Sequence, residues 1–241
     1  MEGDITGGFG VDDYFFSQKF TEIYHCELNE NLSKIAAYNY DILSVNNIIC
    51  KAENGLDFLA KTTQNFDWIY IDPSRRNEIK GKVFMLKDCM PNIPDLQSFY
   101  YQFSSKILIK TAPLLDITAG LTELQNVKQI HIVSVDNEVK ELLWELHQDY
   151  NGNPIIKCIN FNKINTETFE YLWNSEVDFT YGLPTKYLYE PNSSILKSGG
   201  FTQIANQCSL HKLQVNSDLY TSDDLIDFPG RVFKIETILN Y

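Results

Sequence analysis

Short apolar runs alternate with longer amphipathic segments along the first part of this 241-residue chain. Short runs of apolar and β-branched residues predict strands, whereas apolar residues spaced three or four apart predict helices. The strand pattern covers residues 23–27, 48–52, 67–71, 106–110, 129–135 and 155–161. The helical pattern covers residues 11–20, 29–43, 55–61 and 139–150. This order predicts a doubly wound (Rossmann-like) α/β fold, with a mostly parallel sheet between two layers of helices.

The alternation loosens after about residue 165, and the remaining patterns are shorter and mixed. Residues 169–173, 210–215 and 231–239 predict strands, and residues 192–206 predict a helix that is kinked at Gly199 and Gly200. We therefore predict two domains. The first is a large α/β domain over 1–165, and the second is a small α+β domain over 166–241.

A glycine-rich segment, Asp4-Ile5-Thr6-Gly7-Gly8-Phe9-Gly10, stands in front of the first predicted helix. Its glycines, Gly7, Gly8 and Gly10, can form a tight turn and let a ligand approach the backbone where a Cβ would block it. Glu27 ends the next predicted strand, where a carboxylate can bind the two hydroxyls of a ribose. The segment therefore predicts a nucleoside cofactor at the carboxyl edge of the sheet.

The positions of the two chain ends lead to a further expectation. Only three residues precede Asp4, fewer than the five or six (roughly) of an ordinary strand. We therefore expect the first, central strand of the sheet to be missing. The strand pattern at 231–239 stops without a polar tail, so we expect the other end to be cut as well.

The glycine turn fits either a nicotinamide dinucleotide or S-adenosylmethionine. A buried Asp4 carboxylate needs a cationic or donor partner, and the ammonium and sulfonium of S-adenosylmethionine carry positive charge. The segment also departs from the G-x-G-x-x-G spacing of dinucleotide sites. Glu53 and Asn54 follow the strand at 48–52, where a polar side chain can bind an adenine amino group. These features favour S-adenosylmethionine, with a nicotinamide oxidoreductase as the weaker alternative.

The fourth predicted strand ends in Asp72-Pro73-Ser74-Arg75. This motif resembles the Asp/Asn-Pro-Pro-x element of class I methyltransferases, several of which act on nucleic acids. Together with Asp-x-Thr-Gly-Gly, it resembles a bacterial methyltransferase-like family with members in Bacteroidetes. The segments 187–192 and 227–231 strengthen that resemblance, which covers nearly the whole chain. Members of that family carry a leading helical segment, a ferredoxin-like domain and a THUMP-like C-terminal domain. The resemblance implies that the chain ends at the start of a truncated THUMP-like domain.

The resemblance implies an S-adenosylmethionine-dependent methyltransferase that methylates a nitrogen of an RNA base. It assigns cofactor binding to Asp4, Thr6, Gly7, Gly8, Gly10, Glu27, Leu28, Glu53, Asn54 and Asp72. It assigns the acceptor side to Asp72, Pro73, Ser74 and Arg75. Ser74 and Arg75 depart from the usual second proline and stacking aromatic. Because of these departures a second hypothesis stays open, namely a catalytically degenerate methyltransferase fold that binds RNA or protein.

Composition limits the remaining possibilities. The net charge of −12 argues against broad electrostatic binding to a polyanion, so an RNA partner requires a local basic surface. The five scattered cysteines and the lack of a signal peptide predict reduced thiols in a cytoplasmic protein. No apolar run reaches the ~20 residues of a membrane span. The histidine spacing predicts no metal site, and the oligomeric state stays open.

Overall fold

The structure is a computed structural model that describes residues 1–74, 76–77, 81–82 and 85–239. The chain divides into two compact units. The first comprises Met1–Lys128 and Trp144–Gly152, and the second comprises Gln129–Leu143 and the chain from Asn153 onward. The predicted boundary between residues 165 and 166 stays a prediction.

The first part of the chain alternates strands and helices. In chain order these are β1 (Glu2–Asp4), α1 (Val11–Phe16), β2 (Ile23–Cys26), α2 (Glu30–Ile42), β3 (Ile48–Lys51), α3 (Gly55–Lys61), β4 (Trp68–Ile71), β5 (Arg76–Asn77), β6 (Gly81–Lys82), α4 (Ile93–Tyr100), β7 (Lys106–Thr111) and α5 (Ile117–Glu123). A short 3-10 helix covers Leu86–Asp88, and β5 pairs antiparallel with β6.

The later elements are mostly strands. They are β8 (Val127–Val135), β9 (Glu138–His147), β10 (Ile155–Phe161), β11 (Thr166–Leu172), β12 (Thr180–Tyr181), β13 (Tyr187–Pro191), α6 (Ser193–Ser198), α7 (Phe201–Gln207), β14 (His211–Lys212), β15 (Tyr220–Ser222) and β16 (Gly230–Lys234).

In the first unit, five parallel strands lie in the order β7-β4-β1-β2-β3. Their order reverses next to β1, which is where a doubly wound sheet binds its ligand. The strand that we expected to be missing is therefore present, although it has only three residues. Such a short strand is held because it pairs on both sides, with Gly3 opposite Tyr24 of β2 and Ile69 of β4.

Strands β8 and β9 form a hairpin, and β10 pairs parallel with β8 and antiparallel with β11. The predicted helix over 139–150 is wrong, because residues Glu138–His147 form strand β9. Leu142, Trp144 and Leu146 are all buried at alternate positions, a period of two that belongs to a strand. The turn before β9 contains Asp136 and Asn137 at φ 49° and 62°, as two-residue hairpin turns require.

The second unit also contains a five-stranded sheet in the order β12-β14-β15-β13-β16. The predicted kink is confirmed: α6 ends at Ser198, Gly199 has φ 75°, and α7 begins at Phe201. Two fully buried aromatic residues, Tyr189 and Tyr220, lie on paired strands of this sheet. The strands predicted at 210–215 and 231–239 are shorter than expected.

The five cysteines all lie in the described ranges and form no disulfide bond. None of the helices in those ranges is long and apolar enough to cross a lipid bilayer.

Candidate functional site

A cavity of about 350 Å³ opens in the first unit, at the carboxyl ends of its parallel strands. Six of the residues that the sequence predicted for the site line this cavity: Thr6, Glu27, Leu28, Asn54, Asp72 and Ser74. They come from the ends of four neighbouring strands, β1 to β4. Its other lining residues are mostly apolar and were not predicted, namely Ile5, Cys26, Gly55, Leu56, Met90 and Pro91.

The glycine-rich loop connects β1 to α1 and is pinned by backbone contacts. The Gly7 N–H donates to the Cys26 carbonyl (2.8 Å), which fixes the loop against the end of β2. A Cβ at position 7 would lie 2.3 Å from the His25 ring. Gly10 has φ 72°, and a Cβ there would overlap the Tyr40 hydroxyl at 1.7 Å. Position 7 therefore requires glycine for space, and position 10 requires it for both space and conformation.

Glu27 lies at the wall of the cavity and is held by the backbone. Its Oε2 accepts a hydrogen bond from the Gly8 N–H (3.0 Å), and its Oε1 accepts one from the Asn29 N–H (2.7 Å). A carboxylate has about four acceptor positions, so two remain for ligand hydroxyls. The side chain is therefore oriented in advance of any ligand.

Asp4 lies beneath the loop in a buried polar cluster rather than in the cavity wall. Its Oδ1 accepts from the Thr6 N–H (2.7 Å) and from the Thr6 hydroxyl (3.1 Å). Asp13 Oδ2 lies 2.6 Å from His25 Nδ1, and both side chains are fully buried. The Tyr40 hydroxyl donates to the Gly10 carbonyl (3.0 Å) above this pair. The cluster therefore supports the glycine loop from below.

Burial dominates the protonation of this cluster. It raises the pKa of Asp4 well above the usual range, raises that of Asp13 to about 7, and lowers the pKa of His25. Burial also raises the pKa of the neighbouring Glu2 to about 9, with smaller contributions from Asp13 and Asp4. The carboxyl groups therefore keep protons near neutral pH instead of carrying their full negative charge.

Asp4, Asp13 and His25 also have the spacing of a metal site, since one candidate atom of each lies within 4.8 Å of the others. The hydrogen bond between Asp13 and His25 already uses Nδ1. Neither His25 nor Asp13 was predicted from the sequence as a site residue. The acidic pair Asp12-Asp13, directly after the glycine loop, was the available signal.

Asn54 and Glu53 differ in their placement. Asn54 lines the cavity, and its Oδ1 caps α3 by accepting from the Leu56 N–H (2.8 Å). Gly55 packs against β1, where a Cβ would lie 2.4 Å from the Ile5 carbonyl oxygen. Glu53 does not line the cavity and instead pairs with Lys61 (3.1 Å). The structure therefore brings Asn54, and not Glu53, to the cavity.

The acceptor-side motif begins where β4 ends. The Asp72 N–H donates to the Thr6 hydroxyl (2.7 Å), which joins this motif to the glycine loop. Pro73 is buried, and Ser74 exchanges backbone hydrogen bonds with Met90 (2.8 and 3.1 Å). Arg75 lies outside the described residues.

Sequence reasoning missed one residue beside this motif. Lys110, at the end of β7, has its Nζ 3.0 Å from Asp72 Oδ2 and also forms an ion pair with Asp12. The Tyr70 hydroxyl donates to the same Asp12 carboxylate (2.7 Å). The position of Lys110 at a strand end on the carboxyl edge was the signal that could have indicated it.

Comparison with known proteins identifies similar structures. The crystal structure of a candidate methyltransferase from Porphyromonas gingivalis W83 is 30% identical, with a TM-score of 0.86 over 98% of this chain. This chain spans 60% of the length of that protein. A sequence profile of a ferredoxin-like domain matches residues 187–229. No curated protein sequence matches the chain.

Two further solved structures show a weaker similarity. One is TrmK of M. capricolum in complex with S-adenosylhomocysteine, 17% identical, with a TM-score of 0.43 over 68% of this chain and 64% of that one. The other is an rRNA methylase from Streptococcus thermophilus, 10% identical, with a TM-score of 0.43 over 61% of this chain and 85% of that one.

The predicted fold class is confirmed. The chain has a large, mainly parallel α/β sheet like that of the Porphyromonas protein, and a second, smaller sheet domain of the ferredoxin-like kind.

Proposed function

We propose that this protein is an S-adenosylmethionine-dependent methyltransferase that methylates a nitrogen of an RNA base. The observation that carries the proposal is the convergence of Thr6, Glu27, Asn54 and Asp72 on one cavity. These residues follow four neighbouring strands, at the place where a doubly wound sheet binds its ligand. The similarity to the Porphyromonas candidate methyltransferase supports the same reaction class.

The residues present fit S-adenosylmethionine. Gly7 lets the loop pack directly against the His25 ring, where a Cβ would lie 2.3 Å away, and the Glu27 carboxylate is fixed at the cavity wall. We assign the ribose hydroxyls to Glu27, the adenine to Asn54 and the apolar wall formed by Leu28, and the methionine part to the glycine loop above Asp4. Glu53 has no assigned contact. The buried acids of the cluster keep protons near neutral pH, and a cationic ligand group close to them would stabilise their ionised form.

When bound, the cofactor supplies a methyl group to the acceptor nitrogen, its sulfur keeps the electron pair of the broken bond, and the nitrogen then releases a proton to water. The chain itself orients the acceptor. The Asp72 carboxylate and the Pro73 carbonyl accept hydrogen bonds from the acceptor amino group, which leaves the nitrogen lone pair directed at the methyl carbon. Catalysis then comes from orientation, which can contribute a large part of the rate without a strong base.

RNA is proposed as the acceptor because the Asp-Pro motif resembles enzymes that methylate amino groups of nucleic acids. A covalent mechanism at uridine C5 would need a cysteine nucleophile near the end of β7, and Thr111 stands there. The net charge of −12 means that RNA contacts must be local.

Two experiments, carried out one after the other, test the proposal: calorimetry and then a methyl-transfer assay. We expect S-adenosylmethionine to bind the chain, and NADH not to bind it. We then expect transfer of tritiated methyl groups from S-adenosylmethionine to total bacterial RNA, and not to a protein extract of the same cells. Cofactor binding without transfer to RNA would support the degenerate binding module instead. Absence of cofactor binding would rule out the proposal that the protein is a methyltransferase.

A further inference from the structure

Lys110 is placed beside Asp72 by the register of two parallel strands. Ile71 of β4 pairs with Ile109 of β7, so Asp72 and Lys110 are the next residues of the same register. Residues in register on neighbouring strands direct their side chains to the same side of the sheet. Accordingly, Lys110 Nζ lies 3.0 Å from Asp72 Oδ2.

A second carboxylate holds Lys110 from the other side. Asp12 of α1 forms an ion pair with Nζ and is itself fixed by the Tyr70 hydroxyl at 2.7 Å. The Tyr70 ring lies 5.9 Å from the same ammonium. The Lys110 side chain is only 21% exposed, whereas that of Asp72 is 44% exposed. The ammonium is thus a fixed point, and the Asp72 carboxylate is the more accessible partner.

The Lys110 side chain is in its charged, ammonium form. Burial alone would lower its pKa, but hydrogen bonds from the ammonium to Asp12 and Asp72 outweigh burial and raise the pKa above its ordinary value. Among the described residues, the groups that face it are Asp12 from α1, Tyr70 from β4 and Asp72 after β4. The ammonium therefore stays charged near neutral pH and donates to the Asp72 carboxylate.

We infer that Lys110 is a positioning residue for the methyl acceptor: it holds Asp72 by Oδ2 and leaves Oδ1 to accept from the acceptor amino group. This inference rests on the proposed function. An exposed aspartate after a strand end can rotate among several staggered positions, each of which directs its oxygens differently. A misplacement of about 1 Å at a reacting centre can cost about 100-fold in rate. A fixed ammonium removes that freedom.

Three variants separate positioning from general stabilisation. Lys110→Met removes the charge and keeps the length of the side chain. Lys110→Arg keeps a cationic donor. Lys106→Met is the matched control, because Lys106 lies on the same strand but directs its ammonium over the Trp68 ring at 5.3 Å.

The first readout is methyl transfer from tritiated S-adenosylmethionine to total bacterial RNA, with cofactor affinity measured by calorimetry on the same samples. We expect Lys110→Met to lower kcat about 100-fold while KM for RNA and the Kd of the cofactor change less than about threefold. The kcat of Lys110→Arg should be at least about tenfold higher than that of Lys110→Met. Lys106→Met should match the parent protein. A merely structural lysine would lower cofactor binding and folding stability together, with no recovery by arginine, and that result would overturn the inference.

The second readout needs no activity. Crystal structures of the parent protein and of Lys110→Met should show the Asp72 carboxylate rotated in the variant, while the hydrogen bond from the Asp72 N–H to Thr6 persists. An unchanged carboxylate overturns the inference even if the enzyme is active. If the parent protein binds no cofactor or transfers no methyl group, the proposed function fails, and the crystal structures still decide whether Lys110 positions Asp72. Full activity of Lys110→Met would support the proposed methyltransferase function but would contradict a positioning role for Lys110.

Discussion

His25 Nδ1 lies 2.6 Å from Asp13 Oδ2, and neither side chain has any exposed surface. Asp4 is the third member of this cluster, and the neighbouring Glu2 carboxyl is also nearly inaccessible to water. Isolated carboxylates are strongly disfavoured at such a site, so the cluster retains protons. His25 Nε2, Asp13 Oδ1 and Glu2 Oε2 are buried without a hydrogen-bond partner among the described residues.

The first prediction concerns the pH dependence of folding. The folded-state pKa values of Glu2 and Asp13, about 9 and about 7, lie above the 4.5 and 3.8 of unperturbed groups. The folded chain therefore binds more protons than the unfolded chain, and its free energy of unfolding falls as the pH rises through these intervals. Between pH 7 and 9 we expect a loss of about 1 to 3 kcal/mol, measured by urea denaturation.

His25 does not obscure this effect. Its lowered folded-state pKa reduces stability only as the pH falls below about 6.5, where the unfolded imidazole gains a proton. Glu2→Gln is the variant to compare, since an amide cannot titrate. We expect its stability to change less between pH 7 and 9 than that of the parent chain. An identical pH dependence in the two proteins would contradict the explanation.

The second prediction is that cofactor binding releases protons. A ligand with an ammonium and a sulfonium group stabilises nearby carboxylates, so it should lower the raised pKa of Asp4 and Asp13. We therefore expect the affinity for S-adenosylmethionine to rise between pH 6 and 8. Calorimetry at pH 7 in phosphate and in Tris should give different heats, since the two buffers take up protons with different enthalpies. Equal heats would count against the link, and Asp13→Asn should reduce the difference.

The third prediction compares two glycines of the same loop. Gly8 and Gly10 both have positive φ (54° and 72°), but a Cβ at position 8 comes no closer than 3.8 Å to the Thr6 carbonyl oxygen, whereas one at position 10 overlaps Tyr40. Gly8→Ala should cost about 1 kcal/mol, which is the conformational cost alone. Gly10→Ala should cost at least about 2 kcal/mol more because the buried tyrosine must move. Urea denaturation of both variants measures the difference, and equal losses would show that the overlap relaxes freely.

The fourth prediction separates helix capping from cofactor recognition. Asn54 caps α3 and lines the cavity, whereas Asp116 caps α5 by accepting from the Ala119 N–H (2.9 Å) and does not line it. Both Asn54→Ala and Asp116→Ala should lose about 1 kcal/mol of stability. Only Asn54→Ala should also weaken S-adenosylmethionine binding, by about tenfold, which corresponds to one lost hydrogen bond. An unchanged affinity would show that Asn54 does not contact the cofactor, and Glu53→Gln would then be the next variant to examine.

The patterns that predicted the fold correctly were local. Strand β10 covers the same residues, 155–161, as its predicted run, and α3 begins and ends where its pattern does. The error at β9 was also local, because the richness of this segment in leucine and tryptophan favours a helix only if their spacing is ignored. The alternation of Leu142, Trp144 and Leu146 with polar residues carries the strand signal.

The contacts that the sequence could not predict depend on register. Asp12 and Lys110 are 98 positions apart, and they meet only because α1 begins, and β7 ends, at the same edge of the sheet. Single residues at strand ends can be assigned to that edge from the sequence, as Glu27 and Asp72 were. Which of them touch requires the pairing of strands and the path of the intervening loops. The same limit explains why Glu53 was chosen beside Asn54.

The Thr6 side chain shows how closely the two halves of the site are joined. Its hydroxyl donates to Asp4 Oδ1 and accepts from the Asp72 N–H, so a single oxygen atom is shared by the end of β1 and the segment after β4. A shift of the Asp4 carboxylate is therefore passed to the backbone of Asp72 through the two hydrogen bonds of one hydroxyl group. Valine has the same shape but no hydroxyl group, so Thr6→Val would remove both hydrogen bonds and separate Asp4 from Asp72.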